Sequence, residues 1–92
     1  MKTTEVDVSA LAPPEPMQVI LSTLSTLPDN GMLKVLHRRE PFPLYERLIA
    51  SGWVYYSEKI ADDQVVIHIA HQRNSQQFTD FIVQRTSTSA QR

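Results

Sequence analysis

The sequence predicts an α/β (α+β) two-layer sandwich: strand, helix, strand, helix, strand, strand, forming a four-stranded mixed sheet with both helices on one face. Three observations carry this. Two segments that begin with prolines place apolar residues at three- and four-residue spacing, as amphipathic helices do. Short runs rich in β-branched and aromatic residues alternate in polarity, as strands do. Each helix follows a strand and is long enough for a right-handed crossover, so the first two strands should run parallel. At 92 residues, with 41% hydrophobic and 21% charged residues, the chain has the size and composition of one globular domain.

The elements follow in order. Val6 and Val8 alternate with Glu5 and Asp7, which gives a short strand with one buried face. Pro13, Pro14 and Pro16 end it and open a helix from about Pro14 to Leu27, with Glu15 complementing the positive end of the helix dipole. Met17, Ile20, Leu21, Leu24 and Leu27 form its apolar stripe, and Pro28-Asp29-Asn30-Gly31 is a turn. Met32 to His37 puts Leu33, Val35 and His37 on one face and Met32, Lys34 and Leu36 on the other, which suits a central strand. Pro41 and Pro43 open a second helix to about Ser51, with Leu44, Leu48 and Ile49 as its buried side and Gly52 as its C-cap. Trp53–Glu58 and Gln64–Ala70 read as a hairpin turned by Asp62 and Asp63, with Val65, Ile67 and Ile69 facing inward.

These elements make residues 1–73 the domain, and residues 74–92 a short C-terminal helix, Asn74 to Arg85, followed by a small, polar, flexible tail. The sheet face away from the two helices lacks a covering layer and carries one parity of the aromatic strand Trp53, Val54, Tyr55 and Tyr56, with Val66 nearby. It should attract either the C-terminal helix, through Phe78 and Phe81, or a second copy of the chain in a homodimer.

Composition narrows function by exclusion. There is no cysteine, so disulfides, thiolate catalysis and soft-metal cages are all ruled out. A net charge of −1 gives no basic field for nucleic acid, and a nucleic-acid-binding module remains only a weaker alternative. The first residues lack the apolar core of a signal peptide and no stretch is apolar enough to span a membrane, so the expected location is cytoplasmic. Two glycines cannot build a phosphate-cradling loop, and no nucleophile elbow is present, so no enzyme and no cofactor are expected.

The element order, with Asp7, Leu11, Pro14, Glu15 and Pro16, resembles the TusA/SirA family of small sulfur carriers, whose hallmark is Cys-Pro-x-Pro at the start of the first helix. Aligning Pro14-Glu15-Pro16 with that motif puts Pro13 where the carrier cysteine would stand, so the resemblance implies the fold and not the sulfur chemistry. The chain is more similar still to a cysteine-less sibling family of bacterial domains of unknown function. That family shows Pro-Pro-Glu-Pro here and a second motif like His37-Arg-Arg-Glu-Pro-Phe-Pro-Leu44. The likeness spans roughly Glu5 to Arg73 and implies fold more than function.

In a parallel strand-helix-strand-helix unit, the carboxyl ends of the first two strands open at one edge. That edge would bring the Ser9–Glu15 loop beside the His37–Pro43 loop and make Pro13, Pro14, Glu15, His37, Arg38 and Arg39 the candidate binding residues. The expected ligand is a partner protein or a small anion held by helix N-termini and arginines, although the four prolines at the helix starts each remove a donor. His37, Glu40, His68 and His71 are of metal-ligand type, and a His-based metal site is a further, weaker alternative. His68 and His71, three apart on a strand, should face opposite sides of the sheet, as should His37 and His68.

Overall fold

A computed structural model describes the backbone of residues 1–90 and the side chains of residues 1–85. Strands β1 (Lys2–Asp7), β2 (Gly31–His37), β3 (Trp53–Ala61) and β4 (Gln64–His71) form one sheet in the order β1-β2-β4-β3. Helix α1 (Glu15–Ser25) joins β1 to β2, α2 (Phe42–Ala50) joins β2 to β3, and α3 (Ser75–Ala90) follows β4 after a 3-10 turn, Gln72–Asn74. The β1–β2 pair is parallel and the other two pairs are antiparallel, so the mixed four-stranded sheet has the expected topology.

Register explains the layers. Val6 pairs with Val35, Val35 with Ile67, and Ile67 with Ser57, and residues two apart along each strand share that face. Leu33, Val35, Val65, Ile67 and Ile69 are all buried there beneath Ile20 and Leu24 of α1 and Leu44, Tyr45 and Leu48 of α2. Both crossover helices therefore cover one face, as predicted. Each starts with proline in its first turn and without a side-chain cap, because proline's missing N–H would go unpaired at that position anyway. Gly52 ends α2 at φ 85°, with its N–H donating to the Ile49 carbonyl, so the predicted glycine cap is present.

Two expectations need correction, and one is met. Ile49 was expected inside but is 66% exposed; Tyr45 takes that role at 7% exposure, its ring stacked on Tyr55 at 4.2 Å. In a nine-residue helix the apolar stripe is short, and docking beside an aromatic strand turns the tyrosine flank inward. On the second sheet face the C-terminal helix, one of the two expected occupants, is in place: Phe78 and Ile82 of α3 pack on Met32 and Ala70, with Val54, Tyr56 and Phe81 around them. This covers much of the face for which a homodimer was the alternative expectation. Finally, α3 continues to Ala90, past the predicted end at Arg85; residues 91–92 of the predicted tail lie outside the described residues.

Candidate functional site

The rim at the carboxyl ends of β1 and β2 is where chemistry-bearing side chains gather. The ladder runs one step past β1, since the Val8 N–H donates to the Leu36 carbonyl at 2.9 Å, and buried Val8 anchors the loop that follows. Asp7 turns that loop: its Oδ1 accepts from the Ser9 N–H at 2.9 Å and the Ser9 hydroxyl at 2.6 Å. These two hydrogen bonds favour the charged carboxylate and hold Asp7 below the usual range.

On the β2 side, His37 is nearly buried, and its Nδ1 accepts the Arg38 N–H at 3.0 Å and the Arg39 N–H at 3.3 Å. An Nδ1 used in this way leaves the Nε2 nitrogen to carry the ring proton. Burial first, then the neighbouring Arg39 and Arg38, lowers the pKa of His37, so the ring is a neutral brace for the turn. Glu40 fixes the other end of the turn. Its carboxylate accepts from the Tyr45 hydroxyl and from the Ser57 hydroxyl, the latter at 3.4 Å. Burial and the bond to Glu40 push the Tyr45 hydroxyl well above its ordinary value.

Asp7, Ser9, His37 and Arg38 line one open cleft of about 530 Å³. Sequence reasoning reached this rim but missed its other wall: Ile60, Asp63, Gln64, Val65 and Val66 complete the cleft. β4 runs antiparallel to β2, so the β3–β4 turn returns to the same rim, with Leu36 beside Val66 and His37 beside Val65. Placing β4 next to β2 would have revealed this from sequence; Asp62 and Asp63 read alone were merely turn residues. The cleft carries two carboxylates, Asp7 and Asp63, and one guanidinium, Arg38, beside the apolar side chains of Leu36, Ile60, Val65 and Val66.

Pro13, Pro14, Glu15 and Arg39 do not line this cleft; all four are exposed, and the Pro13–Pro14 peptide bond is cis. The helix starts are poor anion nests. At α2, the Phe42 N–H goes to the Glu40 carbonyl, Pro43 has none, and the Leu44 N–H goes to the Pro41 carbonyl. At α1, the Glu15 N–H goes to the Ala12 carbonyl and Pro16 has none. An anion at this edge would therefore depend mainly on the side chains of Arg38 and Arg39.

The remaining histidines are dispersed. His68 faces α3, tilted against the Phe81 ring, while His71 stacks on Trp53 at 4.1 Å on the opposite face. Among the described residues, no three His, Cys, Asp or Glu side chains gather closely enough to hold a metal ion. No described helix is long and apolar enough to cross a membrane.

Comparison with known proteins gives one match: the family model described as Uncharacterized conserved protein (DUF2249) covers residues 5–71, most of the chain. Neither the curated proteins nor the solved structures gave a match.

Proposed function

The chain belongs to the family of uncharacterized conserved proteins DUF2249, and from that premise we propose that it is a non-enzymatic interaction domain that docks a partner protein at the rim cleft. The observation that carries this reading is the lining of the cleft. Carboxylates at Asp7 and Asp63, a guanidinium at Arg38 and exposed apolar surface at Ile60 lie together on a frame braced by hydrogen bonds. Both signs of charge beside apolar surface suit the rim and centre of a protein interface better than a single small anion. The side chains that could do chemistry are already committed: His37 Nδ1 holds two backbone amides, and Glu40 holds two hydroxyls.

In this proposal the likeness to TusA/SirA carriers is one of architecture. Pro13, at the position of the carrier cysteine, has no group to hold a persulfide, so Pro13, Pro14 and Glu15 serve as the outer shoulder of the docking edge. A cytoplasmic location is part of the same proposal.

A photo-crosslinking residue at position 60, compared with one at exposed Ser22 of α1, tests the reading. Crosslinked protein partners should concentrate at position 60, and Arg38→Glu should weaken their binding by about tenfold or more. Equal crosslinking at both positions, or binding indifferent to Arg38→Glu, would refute it. An NMR titration with inorganic phosphate separates the small-anion reading: saturable shifts confined to Arg38 and Arg39, without partner capture at position 60, would favour the anion instead.

A further inference from the structure

The edge of the sheet opposite the β1 side carries an apolar surface that the rim cleft does not use. β3 is an edge strand, paired only with β4 among the described residues. Its two halves differ. A register shift between Lys59 and Ala61, with Lys59 exposed, guards the far half, as bulges and lysines do on edges that must stay single. The near half, Trp53 to Ser57, is regular and aromatic and carries no charge.

Beside that unguarded half, α2 presents Phe42 and Ile49, 67% and 66% exposed. Seven residues apart, they lie on one helix flank about 10 Å from each other. It is the flank that overhangs β3: Phe42 packs edge-on against Tyr45 at 6.0 Å, and Ile49 shares a shallow depression with Trp53 and Tyr55.

We propose that this flank is a homodimer interface, in which the β3 edges of two copies pair antiparallel about a twofold axis at Tyr55 and the two α2 helices pack Phe42 against the second copy's Ile49. One axis serves both layers. The midpoint between Phe42 and Ile49 falls at Tyr45–Glu46, and Tyr45 is stacked directly on Tyr55, 4.2 Å away with the rings 5° from parallel. A twofold normal to the sheet, passing between the copies just outside that stack, brings Phe42 to the second copy's Ile49 and sets Val54 beside the second copy's Tyr56, as an isologous contact requires. It also keeps both helix layers on the same face of a continuous sheet. The area is of the right order. Two large side chains two-thirds exposed offer roughly 200 Å² per copy, about a third of the smallest stable interface of ~1,200 Å² once both copies are counted, which leaves the paired strand edges to contribute the rest.

Sedimentation of the full chain, from micromolar to about millimolar concentration, should show a monomer–dimer equilibrium. Phe42→Glu and Ile49→Glu should each raise the dissociation constant by about tenfold or more. Both side chains are mostly solvated, so circular dichroism should stay unchanged. The cysteine-free sequence gives a register test. The double variant Phe42→Cys/Ile49→Cys should oxidise to a covalent dimer, while each single variant should not, because like positions lie about 10 Å apart across the axis and disulfides need closer approach. A monomer at every concentration, a dimer insensitive to both glutamates, or single variants that crosslink as readily as the double would each overturn the proposal. So would a different protein found to occupy this flank of a monomeric chain.

Discussion

At the scale of single residues, His68 stands out. It is 1% exposed, its Nδ1 has no hydrogen-bond partner among the described residues, and it sits between the sheet and α3. Burial, followed by the nearby Arg85 and Lys34, lowers its pKa to about 4. The folded state thus resists a proton that the unfolded chain accepts near 6.5, so the contribution is complete above pH 6.5 and is lost as pH falls toward 4. Between pH 7 and pH 5 this should cost about 2 kcal/mol of stability. Urea melts at the two pH values should show that loss, and His68→Leu should remove most of it, leaving the weaker slope from His37, whose pKa is lowered in the same direction. The sequence placed His68 correctly on the face away from His37 and His71. It could not disclose the burial, because that depends on Phe81 of α3 folding back.

Among the elements, those with strong periodicity were legible and those decided by docking were not. The stripe of α1 appears with Ile20 and Leu24 fully inside, and β2 is central with both faces covered. The short α2 was misread at Ile49 because strand aromatics, not helix periodicity, choose which flank turns inward. Its end was legible, since Gly52 alone supplies a positive φ there. A Cβ at Gly52 would meet nothing within 4 Å, so Gly52→Ala should cost about 1 kcal/mol through backbone conformation alone. Thermal melts can measure this. Gly31 differs, because a Cβ there would approach Leu27 Cγ to 2.9 Å and the Pro28 carbonyl to 3.0 Å.

For the whole molecule, the main consequence is two cores of unequal size on either side of one sheet. The larger unites α1, α2 and the inner face; the smaller holds Met32, Ala70, Phe78 and Ile82. Phe78→Ala should release α3 with the larger core intact, because the loss is limited to what docks α3. Hydrogen exchange should then quicken in α3 while the amides of β2 and β4 that pair with each other stay protected. Equal loss of protection everywhere would show a single cooperative unit. The candidate rim was partly legible: the crossovers set the loop from Ser9 beside the loop from His37, but of the six residues expected there only His37 and Arg38 line the cleft, and pairing order, absent from local sequence, supplied Ile60 and Asp63. With His37 clamping the amides at one end of the turn and Glu40 gripping Tyr45 and Ser57 at the other, the loop is braced at both ends by its own hydrogen bonds. Association there forfeits little chain entropy, so its speed should be governed by diffusive encounter, with affinity differences among partners expressed in how slowly they leave.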